Sequence, residues 1–295
     1  MTEIDLGKAA TTRIGDVWDS TVDAARGRAG VIAPVALLGF FLPGVVQSLV
    51  TLFGDPDSVA TVLLTGLIAI ATLVVAVWAQ LAIIGIATDP ATTRAEASRE
   101  AWRRVPPLLG LSLLMGLALL VAMIPFGIAA AASGIDYRAM AQAQAGAAPD
   151  LSGVSTGAIL FAFFYMVALI GLLVWLGTRL VLLSAVILNE RRGVGAFRRA
   201  LALTRGMTLK LIGVLILYVI VLLVATFAVQ TAVFLLVRLP LGESGLGAAT
   251  FVGAIAGGLL TTVFTALFCV FTARLYVARA GAPVRHVAGD STLAS

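Results

Sequence analysis

Five arginines stand within the seventeen residues from Glu190 to Gly206, "ERRGVGAFRRALALTRG". They are Arg191, Arg192, Arg198, Arg199 and Arg205. A guanidinium group is a planar fork of donors that can hold two oxygens of a phosphate or carboxylate at once. The chemistry on offer is anion binding. Arg179 and Arg274 add to it, each followed by leucine near the end of an apolar run. Such an arginine can simply snorkel, with its stem in hydrocarbon and its head in water. It can also hold a lipid phosphate or a partner's carboxylate. Arg179, Arg274, Arg198, Arg199 and Arg205 are therefore the candidate lipid- or anion-binding residues.

Catalytic chemistry finds little support. The only histidine, His286, lies in a polar tail, so a histidine-dependent triad or a histidine-rich metal site is not expected. The sequence has no P-loop and no dinucleotide-binding fingerprint. Ser184 in "LLSAVIL" has no local nucleophile motif and reads as a packing residue. Asp55, Asp57, Asp136, Asp150 and Glu243 are scattered over three loops with no spacing that suggests a paired-carboxylate site. The single cysteine, Cys269, excludes an intramolecular disulfide and reads as a small apolar packing residue. No cofactor and no metal is expected.

The elements that must carry these arginines are membrane spans. Hydrophobic residues make up 60% of the 295-residue chain and charged residues 12%, with mean hydropathy +1.07. Soluble domains usually have about 25% charged residues. The net charge of +5 does not point to nucleic acid, because the arginines border apolar runs. Spans are predicted at about 31–53, 61–87, 106–132, 154–188, 209–237 and 247–279. As drawn, they hold no Asp or Glu, which lowers the case for proton- or sodium-coupled transport.

Charge also orients the spans. Eighteen of the twenty Lys and Arg residues fall in the N-terminal segment, the second and fourth loops, the C-terminal end, and at Arg179. Arg138 and Arg238 are left for the other side. The positive-inside rule then places both termini on the cytoplasmic side. Arginine in preference to lysine, with abundant alanine and glycine, hints at a GC-rich bacterial genome, and the membrane expected is the bacterial inner membrane. The N-terminus is acidic early and has no apolar core before residue 30, so the first span is expected to act as its own insertion signal. Residues 1–29 read as a cytoplasmic amphipathic segment, 30–281 as one six-span domain, and 282–295 as a polar cytoplasmic tail.

Three polar segments show helical amphipathicity. In the arginine-rich loop, Val194, Phe197, Leu201 and Thr204 share a face opposite a basic stripe. In the N-terminal segment Ile14, Val17, Trp18, Val22 and Ala25 do so, and at 91–105 Ala95, Ser98, Trp102 and Val105. As one helix, the fourth span would be about 50 Å long. Its end, "VLLSAVILN" (181–189), then projects beyond the hydrocarbon while still apolar and needs cover. Pro125 is expected to kink or end the third span. Gln47 and Gln230 are read as interhelical hydrogen-bonding groups, and "GAIAGG" (253–258) and "GLLVWLG" (171–177) as sites of close helix contact.

These features recur in threes. Aligning "AARGRAGVIAPVALL", "AWRRVPPLLGLSLLM" and "LTRGMTLKLIGVLIL" brings Arg26, Arg103 and Arg205 into register. The returning spans end alike, in "AQLAII" (79–84), "TRLVLL" (178–183) and "ARLYVA" (273–278). The fold class expected is an all-α integral membrane protein with six transmembrane helices and amphipathic cytoplasmic helices, in a possible threefold repeat of interfacial helix plus hairpin.

The stretch "RLVLLSAVILNERRGVGAFRRALALTRGMTLKLIGVLIL" (179–217) resembles the six-span membrane domain attached to some bacterial glycerophosphodiester phosphodiesterases and its stand-alone relatives. "ARLYVARAG" (273–281) is similar to the closing segment of that family. The resemblance implies the fold. It does not imply hydrolysis, which in that family belongs to a separate soluble barrel with metal-binding residues that this chain lacks. The function expected is a non-enzymatic membrane module or scaffold that binds anionic lipid or membrane proteins through its basic face. Self-association through glycine faces is a further option. A transporter or channel for lipid or a small hydrophobic solute is the alternative. An intramembrane enzyme using Asp136, Asp150 or Glu243 is a more distant third.

Overall fold

The computed structural model describes residues 13–55, 58–134, 155–190 and 195–280. Among the described residues every regular element is helical. Six stretches are long and apolar enough to cross a membrane: Ala29–Val50, Val59–Thr88, Arg94–Ala132, Thr156–Glu190, Thr208–Pro240 and Leu246–Ala280. The chain is an α-helical, polytopic membrane protein.

The N-terminal amphipathic segment is helix α1 (Ile14–Gly27), with Asp16 in its first turn and Arg26 in its last, the order that complements the helix dipole. The first span follows as α2 (Ala29–Ala36), a π-helical turn (Leu37–Phe41) and α3 (Leu42–Phe53). Pro43 has no N–H to give the Gly39 carbonyl one turn back, and the turn before it widens. Gly39 faces α4 (Val59–Thr88) so closely that a Cβ there would stand 2.0 Å from the Ala79 Cβ.

Helix α5 (Arg94–Ala132) departs from expectation. The polar loop at 91–105 and the third span are one continuous helix. It opens on a reciprocal capping box, with Glu96 N–H donating to Thr93 Oγ1 at 3.3 Å and Thr93 N–H to Glu96 Oε2 at 3.0 Å. Pro106 and Pro107 do not break it. The carbonyls they leave unpaired belong to Trp102 and Arg103, both exposed residues of its polar end. Pro125 does not end it either.

The fourth span divides. Helix α6 (Thr156–Leu180) stops just after Arg179, and a turn at Val181 and Leu182 leads into the short α7 (Leu183–Glu190). Helix α8 (Gly195–Leu203) carries the arginine-rich loop. A turn containing Gly206, at φ +84°, connects it to α9 (Thr208–Leu241). A 3₁₀ turn (Gly242–Gly245) leads into α10 (Leu246–Ala280).

The chain forms two compact units. One comprises Met1–Leu109 with Arg179–Ser295, the other Gly110–Thr178. In the second unit the Tyr165 hydroxyl donates to the Ala122 carbonyl, and Ser155 N–H donates to Ser133 O at 3.0 Å. Leu113, Leu117, Phe163 and Phe164 are exposed there, a surface suited to hydrocarbon.

The first unit holds the core, at the basic end of its helices. Helix α10 is its hub, touching α1, α2, α3, α4, α7, α8 and α9. Many of the fully buried residues come from the returning ends: Leu81, Ile83 and Ile84 in α4, Leu182 and Val186 around α7, and Leu275 in α10. The apolar overhang of the fourth span is thus covered, with Ser184 through Leu188 all buried.

Three amphipathic helices seal this core, each with a face turned from the one expected, so that Val17, Val105 and Thr204 are buried as expected and the aromatic residues are not. Helix α1 buries Val17 and Thr21, with Trp18 43% exposed. The start of α5 buries Ala97, Ala101 and Val105, while Ala95 is exposed and Trp102 is 49% exposed. Helix α8 buries Ala196, Ala200 and Leu203; Thr204 is buried as expected, but Phe197 and Leu201 are half-buried. Val194 lies outside the described residues. In each helix a buried residue (Val17, Ala101, Ala196) immediately precedes the aromatic, which lies at the edge, and in the last two it is alanine. Small side chains let membrane helices approach closely, and amphipathic aromatics favour the interface.

The glycine expectation divides between the units. Gly253 and Gly257 face α9: a Cβ at Gly253 would lie 3.3 Å from the Gln230 carbonyl, and one at Gly257 would lie 2.3 Å from Gln230 Nε2. Gly171 and Gly177 approach no such neighbour within their own unit.

Gly39 and Gly257 make separable predictions. Gly39→Ala sets carbon against a helix-borne carbon and should cost about 1–3 kcal/mol, the range for overpacking. Gly257→Ala meets a side chain that can swing aside and should cost less. Thermal unfolding in one detergent checks the order, and Ala79→Gly should recover part of the Gly39→Ala loss.

Candidate functional site

The basic end is built from helix termini. The last turn of any helix leaves carbonyls unpaired, and near a membrane few waters can serve them. Arg28, between α1 and α2, donates through Nη1 to the carbonyls of Ile86 and Asp89, the latter at 3.0 Å, and through Nη2 to that of Thr92 at 2.7 Å. It closes the C-terminus of α4. Arg279 does the same for α8, donating through Nε to Leu203 O at 2.9 Å and through Nη2 to Arg205 O at 3.1 Å. A cation at a helix C-terminus also meets the negative end of the dipole.

Two candidate arginines stitch helices together. Arg274 Nε donates to Ser20 O at 3.3 Å, tying α10 to α1. Arg199 Nε lies 3.0 Å from Glu190 Oε1, which also accepts a 3.4 Å bond from the Tyr276 hydroxyl. That cluster joins α8, α7 and α10. Arg179 is half-buried, and its carbonyl accepts from Thr204 Oγ1 at 3.2 Å. Gln80, its counterpart in the sequence alignment, donates to Ser184 Oγ at 3.5 Å.

The other candidates face outward. Arg198, Arg205, Arg26 and Arg103 are all exposed, as is Lys210 at the start of α9. Arg103 and Arg104 approach Glu100 at 3.9 and 3.2 Å within α5. His286, Asp57, Asp136, Asp150, Arg191 and Arg192 lie outside the described residues.

Beside this basic end, α1, α9 and α10 enclose an apolar groove of about 510 Å³. An aromatic row forms one side. Trp18 and Phe271 lie 6.5 Å apart by ring centroids, Phe271 and Phe268 6.4 Å, and Phe268 and Tyr218 5.3 Å. Ile14 and Leu215 also line it. Cationic donors next to an apolar cleft suit an amphiphile, whose two ends need those two surroundings.

Sequence reasoning passed over Arg28, Arg279, Tyr276 and the Thr93–Glu96 cap. The cap had a visible sign in the spacing "TRAE" before a long helix. Arg28 had a weaker one, directly after a glycine that ends an amphipathic helix. Nothing in the sequence paired Arg279 with carbonyls 74 and 76 residues away.

Arg28→Met removes a charged donor from three carbonyls. It should lower stability by about 2–4 kcal/mol, given ~1.5–3 kcal/mol for a hydrogen bond to a charged group. Arg198→Met, on an exposed face, should stay within ±0.5 kcal/mol. Unfolding midpoints of the two variants in the same detergent check both.

No curated protein and no solved structure is similar enough to this chain to match it. A family model does match, across residues 19–280, from the middle of α1 to the end of α10. The chain belongs to the family described as Domain of unknown function (DUF7847).

Proposed function

We propose that this protein is a non-enzymatic module of a bacterial inner membrane that binds anionic lipid, or a membrane partner, through its basic face. One observation carries the reading. Arg199, Arg274 and Arg279 are bonded to protein acceptors, yet Arg198, Arg205 and Lys210 are exposed at the same end. Cationic side chains near a membrane surface attract acidic headgroups by about 1 kcal/mol each. Both termini lie on the cytoplasmic side in this reading, as the loop charges favour. The threefold relation belongs to it too: α1 packs on α10, the start of α5 on α4, and α8 on α7, so each amphipathic helix sits on a returning end. Kinship with the membrane domain of glycerophosphodiester phosphodiesterases is part of the same proposal and bears on fold alone. A transporter of lipid or a small hydrophobic solute is the second reading, favoured by the groove beside α1.

Two measurements test this. The Arg198→Gln/Arg205→Gln variant, in nanodiscs of mixed phosphatidylglycerol and phosphatidylcholine, should retain several-fold less phosphatidylglycerol by native mass spectrometry. Unchanged retention with the fold intact would sink the lipid reading of these residues. Separately, alkaline phosphatase fused after Ser295 should be inactive and a fluorescent protein fused there should glow. The reverse result would overturn the orientation.

A further inference from the structure

We propose that the groove between α1, α9 and α10 holds one acyl chain of a membrane glycerophospholipid. The proposal rests on the lipid-binding reading and names where the chain of that lipid lies.

The walls of the groove decide the chemistry. Leu211, Leu215 and Tyr218 come from the opening turns of α9, and Phe264, Phe268 and Phe271 from the closing turns of α10. Both helices are long and apolar enough to cross a membrane. The polar atoms that the lining side chains carry are the Tyr218 hydroxyl and the Trp18 indole N–H. A buried water needs two to four polar partners, so a lining of this kind favours hydrocarbon over water. The volume of about 510 Å³ lies within the ~300–1,000 Å³ common for small-molecule sites.

Helix α1 makes it a site rather than a bare lipid-facing surface. Ile14, Gly15 and Trp18 close one side, and Arg274 holds α1 in place through Ser20. Elsewhere on α9, Leu223, Val224 and Phe227 are exposed and lie outside the groove.

Cations mark where a headgroup would sit. Arg13 directly precedes Ile14, and Lys210 directly precedes Leu211; both are exposed. Asp16, directly after Gly15, and Asp19, one turn beyond it, are the acidic groups of α1 nearest the lining. The headgroup lies beside Arg13 and Lys210, and its chain runs from α1 along the aromatic row.

The full-length protein in nanodiscs, with phosphatidylglycerol bearing a diazirine midway along one chain, tests this. After irradiation, crosslinks should concentrate on residues 211–221 and 264–271, about tenfold above those on Leu223, Val224 and Phe227. Leu215→Trp or Leu267→Trp, which fill the groove, should abolish the excess and leave the crosslinks on Phe227 unchanged. Equal labelling of groove and exposed face in the parent would overturn the proposal without needing either variant. The same probe on phosphatidylcholine separates the two readings. Groove labelling equal to that of phosphatidylglycerol supports the chain site and removes the headgroup preference. A preference for phosphatidylglycerol with no excess in the groove leaves the basic face binding lipid and overturns the groove.

Discussion

Helix ends near a membrane must find partners for their last carbonyls, and here arginine supplies many of them. Arg28 serves three carbonyls from α4 and the turn beyond it, and Arg279 serves two from α8 and the turn that follows. In water such groups would be solvated at little cost. At the edge of hydrocarbon each unpaired carbonyl is expensive, so where an arginine reaches also decides where a helix stops. The core adjoins both closures: the last turns of α4 bury Leu81, Ile83 and Ile84, and α8 buries Ala196 and Ala200.

That constraint changes how the basic composition should be understood. Positive loops have a topogenic explanation that needs no structure at all. The contacts show a second use for the same residues. Arg199 and Arg274 stitch helices, and Arg28 and Arg279 close them. Arg198, Arg205 and Lys210, by contrast, are exposed.

The spans, the amphipathic segments and the three similar returning ends were legible in the sequence, because each is a matter of period and composition. The need to cover "VLLSAVILN" was legible from length alone. The inward faces were not. Ranking residues by hydrophobic size puts Trp18, Trp102 and Phe197 inside, whereas close approach between helices selects Ala97, Ala101, Ala196 and Ala200. The continuity of α5 was hidden for a different reason: the charged segment 91–105 read as a loop before a separate span, whereas the cost of Pro106 and Pro107 falls on carbonyls at an exposed polar end. Of the candidate site, the arginines were visible and their separate duties were not. The groove was invisible, since its lining comes from three helices with no shared motif.

The bond from Arg274 to Ser20 joins residues 254 apart in the chain. During synthesis α1 emerges long before its main partner α10. An amphipathic helix in that position lacks its main docking surface until α10 is inserted, and meanwhile the bilayer surface is its natural resting place. Closing α1 onto α10 completes the core and roofs the groove in one event. A chain cut short before α10 would leave α1 on the membrane surface, beside a bundle with no hub.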